Sequence, residues 1–239
     1  MCGIIGILGS SDVSDRLIEG LRRLEYRGYD SAGIATIHDG VIDRRRAEGK
    51  LHHLVARLPT DPLPGHTGIA HTRGATHGAP TEDNAHPHTA GDVTIVHNGI
   101  IENFKPLRDE LIADGRKFRS QTDTEVVAHL LAREIERGVA PRAAVANVLP
   151  KLHGAFALAI MFRGEPDLLI GARLGAPLTI GYGDGENYLG SDALALASLT
   201  QRIAYLEEGD WAAVSRGSVE IFDRDNTPVT RPITISGVS

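Results

Sequence analysis

Met1-Cys2-Gly3-Ile4-Ile5-Gly6-Ile7-Leu8 opens the chain, and the reading of these eight residues governs the rest. Cys2 is the only cysteine, and it stands where removal of the initiator methionine would leave it N-terminal. Processing enzymes remove Met readily when the next side chain is as small as Cys. One residue would then carry both a thiol and a free α-amino group. An α-amine titrates near pH ~7.7–8.0, so part of it is unprotonated at neutral pH and can act as a base. A thiol of ordinary pKa ~8.5 is already a fair nucleophile, and an adjacent base improves it. The competing reading is a small apolar filler, the commonest fate of a lone cysteine. Residues 4–8 read as a buried strand, cut off by Gly9-Ser10-Ser11. A strand locked inside a layered fold would hold the terminus to within the ~1 Å that catalytic alignment requires.

Working outward, Val13, Leu17, Leu21 and Leu24 recur at helical spacing, with Ser11 or Asp12 as the expected cap. The turn-rich segment 26–30 follows. Strands 34–38 and 41–45 flank Asp39-Gly40, a strong hairpin signal, and Arg44-Arg45-Arg46 reads as a solvated strand end. A short helix over 50–58 and a proline-punctuated loop over 59–64 come next. Strand 68–71 leads into a long polar loop, 72–91, and strand 93–97 ends at the turn-like pair Asn98-Gly99. Helices are predicted over 104–114, stopped by Gly115, then over 124–137 and 141–152, the last starting on a proline suited to a first turn. From residue 154 the pattern turns β-rich, with strands at 155–162, 167–172, 178–181, 187–189, 203–206, 211–214 and 219–222. The sum is an α+β chain of two sheets with helices on their outer faces, without repeat or linker.

At 239 residues there is ample length for a core, and a composition of 41% hydrophobic and 23% charged residues is that of an ordinary globular protein. A net charge of −6 argues against nucleic acid or an anionic membrane as partner. One cysteine excludes an intrachain disulfide and suits a reducing compartment, and the apolar run after Cys2 is too short for a membrane span. A cytoplasmic protein is expected.

Three separated loops hold polar groups that would be wasteful without a ligand: Arg27-Gly28-Tyr29-Asp30; His71 to Gly78 continuing through His86-Pro87-His88; and His97-Asn98-Gly99 with Thr122-Asp123-Thr124-Glu125. Each has a plain alternative, such as a tight turn at Asn98-Gly99 or a helix cap at Asp123. Together they suit acyl transfer from an amide. The Asn98 side chain and the Gly99 N–H would supply two oxyanion donors, each worth about 2.7–4 kcal/mol. Arg73 would take an α-carboxylate and Asp123 an α-ammonium group. A metal centre is the competing chemistry, since histidines crowd positions 86 and 88, but no H-E-x-x-H element or second cysteine accompanies them. A module that binds an amino acid without turnover is the other alternative.

The stretches "MCGIIGI", "LEYRGYDSAGIA", "GIAHTRGATHGAPTEDNAHPH", "VHNGIIEN" and "TDTEVVAHL" resemble the N-terminal glutaminase domain of the glutamine–fructose-6-phosphate aminotransferases, a class II glutamine amidotransferase of the N-terminal-nucleophile hydrolase fold. The resemblance runs through "YLEEGDWA" and implies a four-layer αββα sandwich with Cys2 as the mature terminus. It implies attack of Cys2 on the side-chain amide of L-glutamine, with the α-amine as base, a γ-glutamyl thioester as intermediate and no cofactor or metal. Asn98 and Gly99 match the family's oxyanion hole, and Arg73, Thr76, His77 and Asp123 its glutamine-binding positions. Arg27 lies in the segment that orients the nucleophile, and His86 and Gly74 are supporting positions. Glutaminase domains of other class II amidotransferases share the leading Cys-Gly-Ile and form the alternative within the fold. Two departures stand out. Gly74 occupies the position where the family has tryptophan, and the chain ends at Ser239, before the sugar-isomerase region that the resemblance implies as partner. Residues 1–239 are therefore expected to be the glutaminase domain alone.

Overall fold

The first strand lies in the middle of a sheet rather than at its rim. In the computed structural model, which describes residues 2–238, β1 (Gly3–Leu8) is hydrogen-bonded on both sides, to β4 (Thr67–Arg73) and to β10 (Asn187–Gly190). The eight-stranded sheet continues through β2 (Ser31–His38) and β3 (Val41–Glu48) on one side. On the other it runs through β9 (Thr179–Tyr182), β11 (Arg202–Tyr205) and β15 (Thr234–Ile235). A seven-stranded sheet packs against it, in the order β14 (Pro228–Val229), β13 (Val219–Phe222), β12 (Trp211–Val214), β8 (Leu169–Leu174), β7 (Gly154–Phe162), β6 (Val93–Ile101), β5 (His88–Ala90).

Side-chain alternation along the strands explains the layering. In β1, Ile5 and Ile7 join a cluster with Val13, Leu17 and Leu21 around α1 (Ser14–Arg23) and α2 (Leu51–Val55), while Ile4 and Leu8 point between the sheets. In β7, Ala157, Ala159 and Met161 face the same inter-sheet core. Phe156, Leu158, Ile160 and Phe162 face the helices α3 (Phe104–Ala113), α4 (Thr124–Glu136) and α5 (Pro141–Val148). Three apolar layers thus separate four layers of structure, and each fully buried Ile or Leu contributes roughly 1.5–3 kcal/mol. Small residues on the inner faces keep the sheets close: a Cβ added at Gly6 would come within 3.1 Å of Leu169 Cδ1. The expected α+β sandwich with outer helices is borne out.

Several local expectations are corrected. Asn98-Gly99 is not a turn; both residues lie inside β6, opposite Ala157 and Phe156 of β7. The polar loop over 72–91 contains the edge strand β5, which lacked the length to register in sequence. The cap of α1 is Val13, with no side-chain cap bond, because Asp12 instead accepts from the Gly65 N–H at 3.1 Å. Arg44-Arg45-Arg46 is not a solvated strand end. All three are half-buried, and Arg44 and Arg46 donate to the carbonyls of Pro87 and Ala85, while Arg45 pairs with Asp43 and Asp61. These bonds tie the histidine loop to the first sheet. Gly33 makes that possible, since a Cβ there would lie 1.8 Å from the His86 carbonyl oxygen.

Candidate active site

Cys2 sits where β1 begins, and its backbone is fixed from three directions. Arg27 Nη1 donates to the Cys2 carbonyl at 3.4 Å and Asn98 Nδ2 donates to the same oxygen at 3.3 Å. Two residues on, Ser191 donates its N–H to the Ile4 carbonyl and its hydroxyl accepts from the Ile4 N–H, both at 3.0 Å. Arg27 is held in turn by Asp192, at 2.5 Å from its Nη2. The Cys2 sulfur receives the Gly74 N–H at 3.3 Å. Burial pushes the thiol above its ordinary range, against the pull of the Gly74 N–H and the Arg73 charge. A thiol in that position is protonated at neutral pH and needs a base to become a nucleophile.

Two cavities meet at this residue. An open cleft of about 740 Å³ is lined by Cys2, Arg27, Gly74, Thr76, Asn98 and Gly99 among others. Behind it, a slot with only about 10 Å³ of free space is walled by Cys2, Arg73, Gly74, Thr76, His77, His86, Gly99 and Asp123. Each of the ten candidate residues from the sequence therefore touches one cavity or both.

Asn98 is oriented by a residue to which sequence reasoning gave no role. His71 is fully buried in β4, and its Nε2 lies 2.9 Å from the His97 carbonyl and 3.0 Å from Asn98 Oδ1. A carbonyl only accepts, so Nε2 carries the proton, and Asn98 Oδ1 is an acceptor as well. The amide nitrogen of Asn98 is left facing Cys2. Burial pushes His71 down to about 3, so the ring is neutral at pH 7. It stacks on His86, whose ring centroid is 4.0 Å away, and His86 Nδ1 accepts from the His97 N–H at 3.2 Å. Gly99 has φ +109°, and a Cβ there would fall 2.3 Å from the Ala155 carbonyl oxygen, so this strand position admits only glycine.

The slot carries one buried cation and one buried anion. Arg73 Nη1 donates to the Ala79 carbonyl at 3.1 Å and Nη2 to the His77 carbonyl, but no carboxylate lies within 4.0 Å of it among the described residues. Burial pushes its guanidinium below the usual arginine range. Asp123 is 3% exposed and its Oδ2 accepts from the Ile101 N–H at 2.8 Å, not from its own helix as a cap would. The plain alternative of a helix cap is thus met in position only: Asp123 is the N-cap residue of α4, but its side chain makes no capping bond. A ligand with a carboxylate and an ammonium group would complement the two charges. The histidines at 71, 86, 88 and 97 are bonded to one another's loops, to Thr122 and Thr124, and among the described residues no group of three or more His, Cys, Asp or Glu is arranged to hold a metal ion.

A family model described as "Glutamine amidotransferase domain" matches residues 71–198, more than half of the chain. The chain belongs to the glutamine amidotransferase domain family. The amidotransferase chain is 68% identical over all 239 residues to glutamine–fructose-6-phosphate aminotransferase [isomerizing] of Zymomonas mobilis subsp. mobilis, where it spans 39% of the relative. It is 61% identical over 233 residues to the enzyme of the same name from Brucella abortus biovar 1, spanning 38% of that protein. The chain thus covers well under half the length of these curated relatives. Among solved structures, the amidotransferase fold superposes on glutamine phosphoribosylpyrophosphate amidotransferase from B. subtilis with a TM-score of 0.81 and 26% identity, covering 93% of this chain and 49% of that one. A glutamine aminotransferase class-II domain protein from Silicibacter pomeroyi shares the fold at a TM-score of 0.62 and 17% identity. No helix among the described residues is long and apolar enough to cross a membrane.

Proposed function

We propose that the chain hydrolyses L-glutamine to glutamate and ammonia through a γ-glutamyl thioester on Cys2. The observation that carries this reading is the meeting of an open cleft and a charged slot at one sulfur atom. Arg73 takes the substrate's α-carboxylate and Asp123 its α-ammonium group, and because the slot holds only about 10 Å³ of free space, Thr76 and His77 move outward to admit them. That docking sets the side-chain amide against Cys2. Met1 lies outside the described residues; once it is removed, the α-amine of Cys2 accepts the thiol proton. The thiolate attacks the amide carbon, and the resulting oxyanion is met by Asn98 Nδ2 and the Gly99 N–H. The C–N bond then breaks, and the protonated amine returns its proton to the leaving nitrogen, which departs as ammonia. Water, deprotonated by the same amine, attacks the thioester and expels the Cys2 thiolate, leaving the γ-carboxylate of glutamate.

Residues 1–239 are read as the glutaminase portion, and the name shared by the relatives at 61–68% identity supports ammonia delivery to fructose 6-phosphate by a sugar-isomerase region, giving glucosamine 6-phosphate. A reducing cytoplasm, where a lone thiol persists, suits the chemistry. The direct test combines ammonia release with the intact mass of the protein before and after exposure to an electrophilic glutamine analogue. One adduct on Cys2 and loss of ammonia release in Cys2→Ala are expected. Undiminished release from Cys2→Ala refutes the mechanism.

A further inference from the structure

A second cavity, of about 400 Å³, lies outside the catalytic cleft, at the seam where the end strands β3 and β5 of the two sheets come together. Arg44 reaches it from β3, Lys117 and Arg119 from the connection between α3 and α4, and Glu125 and His129 from α4. The acids in its wall are already engaged. Asp43 is paired with Arg45 at 2.9 Å. Glu125 accepts from the N–H groups of Arg119 and Ser120, and from His129 Nε2 at 3.2 Å, since Arg116 Nε donates to the other ring nitrogen. Burial alone would raise Glu125; those hydrogen bonds outweigh it and hold the carboxyl at about 2.

The three cations have no such partners. Among the described residues no carboxylate oxygen lies within 4.0 Å of the Arg44, Lys117 or Arg119 charge, and the side chains of Lys117 and Arg119 make no hydrogen bond. Arg44 is half-buried, and burial together with repulsion from Arg46 and Arg119 pushes its guanidinium down to about 10, against the weaker pull of the Glu125 and Asp83 carboxylates. Only Arg44, Arg46 and Arg73 are displaced downward among the described arginines, and Arg73 is the unpaired cation of the catalytic slot. Unpaired positive charge facing open space of ligand size is stabilised by an anion placed there.

We propose that the seam cavity binds a small phosphate-bearing anion through Arg44, Lys117 and Arg119. A single carboxylate would leave two of the three charges uncompensated, whereas a phosphate dianion offers three or more acceptor oxygens to two forked donors and one flexible one. The concave shape and the net charge of −6 select a small molecule over a nucleic acid backbone.

Calorimetric titration of the whole chain with inorganic pyrophosphate, at ionic strength held constant with chloride, tests this without any turnover, so its outcome is independent of the proposed glutaminase. A saturable heat is expected, weakened at least about tenfold in the double variant Lys117→Gln, Arg119→Gln, whose side chains hold no part of the fold together. Arg73→Gln is expected to bind as the parent does. No saturable heat up to about 10 mM, or a heat lost in Arg73→Gln yet kept in the double variant, overturns the proposal.

Discussion

Replacing His71 with phenylalanine keeps a ring of similar size in the buried site and removes both ring nitrogens, of which only Nε2 is bonded, to Asn98 Oδ1 and the His97 carbonyl. Two buried acceptors each lose a donor, while the His71 Nδ1, which has no partner, is removed with the ring. The expected cost in stability is about 2 kcal/mol, the middle of the range for stranding a buried polar group. The catalytic effect is larger. With nothing fixing its oxygen, the Asn98 amide turns over in a fraction of molecules and presents oxygen to the oxyanion. Loss of one such donor lowers kcat by about 10²–10³, equivalent to about 2.7–4 kcal/mol. Because that charge exists only in the transition state, KM for glutamine should stay within about twofold. Steady-state ammonia release reads both constants, and alkylation of Cys2 by iodoacetamide, which passes through no oxyanion, should proceed at the parent rate. A kcat within about threefold of the parent, or a rise confined to KM, refutes the positioning argument. His71→Gln, which retains a donor, should recover at least about tenfold of the lost kcat.

Gly99→Ala places a methyl group 2.3 Å from the Ala155 carbonyl at φ +109°, so Tm should fall by about 5–12 °C and turnover with it; an unchanged melting curve would contradict the close approach. Stability should decline as pH falls below about 6.5. Burial holds His71 and His88 down to about 3 in the folded chain, so the unfolded chain binds protons that the folded one refuses, at about 1.4 kcal/mol per pH unit for each ring. Buried His86 and His97 are displaced in the same direction, so denaturant midpoints that do not move between pH 6.5 and 5 would disprove this, and His88→Gln should lower the slope by roughly a third or less. Gly74→Trp should tighten glutamine binding, since glycine loses more freedom on ordering and its N–H is the group that meets the Cys2 sulfur; equal affinities would count against it.

The layered architecture was legible because alternation in residues 4–8 and 155–162 and the three-helix pattern over 104–152 are strong periodic signals. The loops of the site were legible because their polar residues exceed what turns need. What remained hidden depends on partners distant in sequence. Ser191 and Asp192, which fix the start of β1 and Arg27, lie more than 160 residues from the groups they hold and carry no local mark. Asn98-Gly99 reads as a turn until β7 is seen to pair with both residues, and β5 is too short for any period. The arginine run looked solvated because nothing local says that a histidine loop will cross it.

The pairing of β1 with β10 also sets a schedule during synthesis. The earliest strand to leave the ribosome cannot acquire both neighbours until residues 187–190 have emerged, about 10–40 s later at ordinary elongation rates. Until then the thiol lacks its surroundings and has no more reactivity than a free cysteine. On the proposed mechanism, a chain truncated before residue 187 lacks one of the two neighbours of β1 and is expected to release no ammonia from glutamine.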